Sequence, residues 1–120
     1  MIKKISRNTL RKIRHKRIRK KIKGTPERPR CSIFKSNKHI YLQVIDDTKG
    51  ITLTYANSLE KDIKEKKLRF KQLVEEVANR LASRCKEKNI KKLVFDRSGY
   101  KYHGNVKKVA DTLRQNGLEL

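Results

Sequence analysis

The chain has 120 residues, 34 Lys plus Arg against 12 Asp plus Glu, and a formal net charge of +22 at pH 7. That length gives one ordinary domain, and no stretch approaches the roughly 20 apolar residues that a membrane-spanning helix needs. A charge excess of this size repels itself in a compact fold and calls for a polyanion to neutralise it, which argues against a self-contained enzyme for acidic substrates and for a nucleic-acid partner.

The charge is concentrated at the start. Residues 1–30 hold Lys3, Lys4, Arg7, Arg11, Lys12, Arg14, Lys16, Arg17, Arg19, Lys20, Lys21, Lys23, Arg28 and Arg30 against the single acid Glu27. The run breaks at Gly24-Thr25-Pro26-Glu27-Arg28-Pro29, where glycine and two prolines end any helix and lead into extended chain. We therefore divide the chain into a basic tail, residues 1–24, and a globular domain, residues 25–120. The tail's apolar residues, Ile2, Ile5, Leu10, Ile13, Ile18 and Ile22, scatter around a helical wheel and form no stripe. Such a helix gains little by packing, and like charges at i,i+4, as in Lys12 and Lys16, weaken it further. The expectation is a tail that is disordered or frayed alone and helical on an anion, about 35 Å long as a helix.

Cys31–Lys35 reads as a strand, Ser36-Asn37-Lys38 as a polar turn, and His39–Ile45 as a second strand with Ile40, Leu42 and Val44 on one face. Asp46–Gly50 is turn chemistry, and Ile51–Ala56 is a β-branched third strand. From about Lys66 the period changes: Phe70, Leu73, Val74, Val77, Ala78, Leu81, Ala82 and Cys85 mark an amphipathic helix of about 20 residues. Ile90–Phe95 suits a short buried strand. Asn105–Gln115 is a second amphipathic helix, stopped at Gly117.

Short turns make the first three strands an antiparallel meander. The long helix is a crossover, so the fourth strand runs parallel to the first and third. The predicted fold is a two-layer α/β domain with sheet order 3-2-1-4, two helices on one face and a basic tail. Two helices cover only one sheet face. The other, with His39, Tyr41, Gln43 and Ile45, must meet either solvent or a partner.

The loop Phe95-Asp96-Arg97-Ser98-Gly99-Tyr100-Lys101-Tyr102-His103-Gly104 mixes glycines, aromatics and bases. Glycine permits close backbone approach, Tyr and His stack on unpaired bases, and Arg and Lys take phosphate. This composition suits RNA better than duplex DNA, which is read mainly by a helix or ribbon in a groove. Arg97, Ser98 and His103 are the leading candidates, and one of Tyr100 and Tyr102 is expected to plug the core. Cys31 and Cys85 read as reduced core residues. His15, His39 and His103 do not pair with them at zinc spacing, so no metal or cofactor is expected. The N-terminus has no apolar core of a secretory signal.

The whole chain resembles the large ribosomal subunit protein eighteen family, bacterial and organellar type. Three stretches carry the likeness: the basic tail into Glu27-Arg28-Pro29-Arg30; Ser36-Asn37-Lys38-His39-Ile40-Tyr41 with Gln43-Val44-Ile45-Asp46-Asp47; and, most specific, Phe95–Tyr100 with Tyr102-His103-Gly104. The resemblance implies a non-catalytic protein of the large ribosomal subunit, in a bacterial cytoplasm or a plastid stroma. It implies binding to 5S rRNA and its attachment to 23S rRNA in the central protuberance, beside large ribosomal subunit protein five, with no membrane and no small-molecule substrate. The residues expected to meet rRNA are the tail bases named above with His15, then Lys35, Ser36, Asn37, Lys38, His39 and Tyr41, and Arg97, Ser98, Gly99, Tyr100, Tyr102 and His103. Asn105, where a base commonly follows the glycine, and Leu120, where an aromatic often stands, depart mildly from the pattern.

Two rivals follow from composition. A packaging protein for duplex DNA fits the tail but gives the Tyr-His-Gly loop no role. A metal-dependent nuclease would need Asp46, Asp47, Glu60 and Asp96 clustered, and their spacing is poor.

Overall fold

Strict alternation along the second strand sets the architecture. In the computed structural model, which describes residues 6–120, Ile40, Leu42 and Val44 are completely buried while Gln43 between them is exposed. Strands β1 (Arg30–Lys35), β2 (Ile40–Asp46) and β3 (Ile51–Asn57) form the antiparallel meander, and β4 (Val94–Asp96) lies parallel beside β1. The sheet order is β3-β2-β1-β4, as the hairpin and crossover rules require.

The crossover is helix α3 (Phe70–Glu87). Leu73, Val74, Val77, Ala78, Leu81, Ala82 and Cys85 form its buried face. Helix α4 (Asn105–Gln115) buries Val106, Val109, Ala110 and Leu113. Both stripes pack on the inner face of the sheet in one apolar cluster. Leu42 and Leu81 are fully buried there, and truncating either to Ala would cost about 2–5 kcal/mol through lost transfer energy and the cavity left behind. Cys31 and Cys85 are unbridged members of this core. Burial pushes the Cys85 thiol up to about 11, and Cys31 higher still.

Three local features differ from the sequence expectation. A one-turn helix, α2 (Lys61–Glu65), precedes α3 and is too short to show a period; only Ile63 is buried in it. Helix α3 starts at Phe70 because Lys67 sits at φ +49°, outside helical space. Strand β4 has three residues, because Lys92 bridges instead to Glu119 near the C-terminus and Leu93 N–H donates to the Glu119 carbonyl at 2.8 Å. The basic segment contains a helix, α1 (Arg7–Arg19), capped by Ser6, whose side chain accepts from Thr9 N–H at 3.1 Å.

The sheet has two edges. At the β3 edge, Arg84 of α3 and Lys88, the residue that caps its C-terminus, reach over and donate to the carbonyls of Tyr55 and Leu53 at 2.7 and 2.6 Å. At the β4 end, α1 lies against the loop that follows the strand.

Candidate nucleic-acid interface

Helix α1 buries no residue, yet it is docked. Arg11, Arg14, His15, Ile18 and Arg19 are its half-buried positions, at i, i+3, i+4, i+7 and i+8, which is one helical face. The stripe is polar. Arg11 Nη1 donates to the Ser98 carbonyl at 2.8 Å, Arg14 Nε to the Gly99 carbonyl at 3.0 Å, and His15 Nε2 meets Asp96 Oδ2 at 2.9 Å. Arg19 donates to the Ile22 carbonyl at 3.0 Å and reaches Asp47 at 3.3 Å.

These contacts end on an ion-pair network beneath the helix. Asp96 is fully buried and accepts from Arg30 Nη1 at 2.7 Å. Arg30 grips Asp47 with two bonds, Nε to Oδ2 at 2.9 Å and Nη2 to Oδ1 at 3.1 Å, the directional fork that an ammonium lacks. Gly24 N–H adds a third donor to Asp47 at 2.7 Å. The Arg30 hydrogen bond, with the Gly24 amide and the nearby guanidinium charges, holds the Asp47 carboxyl down to about 2. Burial alone would lower the Arg30 pKa; its two carboxylate partners outweigh that and raise it.

The loop after β4 is folded to receive α1. Ser98 sits at φ +54° with its N–H on Asp96 Oδ1 at 2.8 Å and its hydroxyl 3.1 Å from that of Ser32. Arg97 Nη1 donates to the Tyr100 carbonyl at 2.8 Å. The Tyr100 hydroxyl accepts from Lys35 N–H at 3.2 Å and donates to the Lys35 carbonyl at 3.1 Å. Its ring lies 4.9 Å from the Arg11 guanidinium and 5.3 Å from the Lys35 ammonium.

The expected rRNA contacts therefore separate into an engaged group, an open group and a partly engaged remainder. Arg30, Ser98 and Gly99 are buried, and their polar groups serve the network and the docked helix. Arg97 and Tyr100 are half-buried and engaged in the same way, so of the two tyrosines it is Tyr100 that packs on the core. Arg11, Arg14, His15 and Arg19 face the domain. The other group is open: Arg7, Lys12, Lys16, Arg17, Lys20, Lys21 and Lys23 from the tail, Ser36, Asn37 and Lys38 from the β1–β2 turn, and Tyr102 and His103 from the loop are all exposed. Lys3 and Lys4 lie outside the described residues.

Partial engagement marks the rest. Arg28 pairs with Glu119 at 3.0 Å, and His39 Nδ1 lies 3.1 Å from the Ser58 hydroxyl. The Tyr102 hydroxyl accepts from Arg114 at 3.0 Å, and its ring sets its edge toward Phe95 at 6.3 Å. Lys35 and Tyr41 are half-buried, and Tyr41 is 5.9 Å from Phe34 across the open sheet face. Phe34 and Tyr55, 50% and 56% exposed, also present aromatic surface to solvent. Neither was singled out from sequence, although period-2 alternation from Cys31 and Ile33 already turns Phe34 outward.

The acids of the nuclease alternative are committed elsewhere. Asp46 accepts from Thr48 N–H at 2.9 Å, Glu60 pairs with Arg84, and Asp47 and Asp96 sit in the arginine network. Among the described residues no cluster of three or more His, Cys, Asp or Glu could hold a metal ion.

Comparison with known proteins shows the family of the chain. The profile of the family described as ribosomal L18 of archaea, bacteria, mitochondria and chloroplast matches residues 5–120. The chain is 55% identical over 121 residues to the large ribosomal subunit protein uL18 of Thermotoga neapolitana, with 99% of each chain covered. It is 50% identical to the uL18 proteins of Petrotoga mobilis, over 121 residues, and Staphylococcus epidermidis, over 119, again with 99% of each chain covered. The chain thus belongs to the ribosomal L18 family, whose members are structural proteins of the ribosome and not enzymes.

Proposed function

We propose that this ribosomal protein binds 5S rRNA and attaches it to 23S rRNA in the central protuberance, beside large ribosomal subunit protein five. The observation that carries the reading is the division of charge around α1. Arginines and a histidine face inward on carbonyls and carboxylates, while Lys12, Lys16, Arg17 and Lys20 face solvent. A helix fixed by its inner stripe holds its outer cations at a set angle to the 100–103 loop and the Phe34–Tyr41 face.

The mechanism is positioning without chemistry. The outer cations neutralise phosphates and release counterions, which supplies affinity and salt dependence. Selection of one RNA falls to the folded parts, the Ser36–Lys38 turn, the aromatic sheet face and His103, because structured RNA is recognised by shape and by bases free to stack.

The test is competition binding of the purified full chain to 5S rRNA, an unrelated structured RNA and duplex DNA of matched length at about 0.15 M salt, where non-specific binding is weak. Preference for 5S rRNA is the expected result. Equal affinity for all three would replace this reading with the packaging one.

A further inference from the structure

Docking of α1 creates a cleft of about 860 Å³ between the tail and the domain. One wall is Arg7, Leu10 and Arg11 of α1; the other is Phe34, Tyr100 and His103. Arg14, Lys35 and Lys101 also border it, and among the described residues no Asp or Glu lines it, so the space favours an anion. It also exposes apolar surface. Leu10 and Phe34 are 39% and 50% exposed. The Arg11 guanidinium lies 5.8 Å from the Phe34 ring centroid and 4.9 Å from that of Tyr100, joining the two aromatics through a flat cation.

A ligand matching this cleft needs a flat apolar part and a negative charge on a short tether. A nucleotide has both. Its base must be unpaired, because a paired base keeps its face inside the stack, whereas a splayed base stacks on aromatic rings and on guanidinium planes. We propose that the cleft seats one unpaired nucleotide of bound RNA, its base against Phe34 and Leu10 and its phosphate on Arg7 and Lys101. The exposed Asn37 amide on the same rim has the donor and acceptor to read a base edge. The proposal rests on the RNA-binding reading and sharpens it: the site has walls from both parts of the chain, so tail and domain act there as one unit.

The probes are a single-stranded RNA octamer of mixed sequence and the corresponding octamer duplex, added to the isotopically labelled full chain. The single strand is expected to shift the Phe34, Tyr100 and His103 ring resonances, and the duplex is not. Phe34→Ala should weaken binding of the single strand roughly tenfold to a hundredfold, as expected for removal of one base–aromatic stack, with its salt slope unchanged because no charge is removed. Phe34→Tyr should restore binding, which separates stacking from a folding defect. Arg7→Gln with Lys101→Gln should flatten the slope by about one to two. Equal shifts by single strand and duplex, or by an acidic peptide, would overturn the proposal, as would single-strand binding indifferent to Phe34→Ala. Failure of the 5S rRNA assignment shows separately, as equal affinity for 5S and unrelated RNA, and leaves the octamer result standing.

Discussion

Gly99 lies against the backbone of Arg11 so closely that a Cβ at position 99 would come within 2.1 Å of the Arg11 carbonyl oxygen and 2.9 Å of the His15 nitrogen. Gly99 also has φ +82°, a conformation that L side chains rarely adopt. The tail helix and the loop after β4 therefore meet backbone to backbone, and the arginine and histidine contacts of α1 depend on that approach.

Gly99→Ala should undock α1 and leave the domain folded. The left-handed conformation alone costs about 1–2 kcal/mol for a residue with a Cβ, and the steric overlap adds to it. Hydrogen exchange of the α1 amides should rise toward that of an isolated helix, while the β2 amides stay protected. Unchanged protection of α1 would mean that the loop shifts to accept the methyl group.

The inner and outer stripes of α1 should behave differently. Changing Lys12, Lys16, Arg17 and Lys20 together to Gln should flatten the salt slope of RNA binding by about three, at roughly 0.7–0.9 for each phosphate no longer neutralised. Unfolding free energy should move by less than about 0.5 kcal/mol, as at other exposed sites. Arg14→Gln should instead loosen α1, because the Gly99 carbonyl is deprived of its 3.0 Å donor. An outer-stripe variant with an unaltered slope would remove those residues from the interface.

Asp47 gives the docking region a pH dependence of defined sign. Its pKa is depressed in the folded chain, to about 2, so its contribution is fully present above the ordinary carboxylate value of about 3.9 and is lost as pH falls toward 2. The depression corresponds to no more than about 3 kcal/mol. Denaturant titrations of the wild type and Asp47→Asn should differ most at neutral pH and converge between about pH 4 and 2. A gap that stays constant over that range would count against the assignment.

Arg84 and Lys88 should act as guards of the β3 edge. An exposed strand edge invites pairing with another chain, and covering its carbonyls with basic side chains is one way to prevent it. Ile51 and Tyr55, 46% and 56% exposed, make this edge adhesive. Arg84→Ala with Lys88→Ala should produce concentration-dependent association in sedimentation equilibrium. Because Arg84 also pairs with Glu60, Lys88→Ala alone serves as the milder variant and should associate less. A double variant that remains monomeric would assign these hydrogen bonds to local rigidity only.

The fold is legible in the sequence wherever one local period decides it. Ile40, Leu42 and Val44 alternate, α3 and α4 repeat at helical spacing, and the hairpin and crossover rules then leave one sheet order. Strand β4 is shorter than its apolar run because Leu93 directs its N–H to the Glu119 carbonyl, a pairing that apolarity does not show. Helix α1 packs on the domain although its wheel shows no apolar stripe, for a related reason. An apolar stripe is the sign of a packed helix, and here the docking stripe is made of Arg11, Arg14, His15 and Arg19.

Composition and spacing by themselves determined a cationic tail on a four-stranded α/β domain, since net charge and side-chain periodicity are properties of the local chain. Only the tertiary structure decided which cations are engaged inside and which remain outside. Arg11 and Arg14 find their acceptors 87 and 85 residues away, and Arg30 reaches Asp96 across 66. Hydrogen bonds over such separations leave no period in the sequence, so the same residue types that read alike in the tail hold the helix on one side and face solvent on the other.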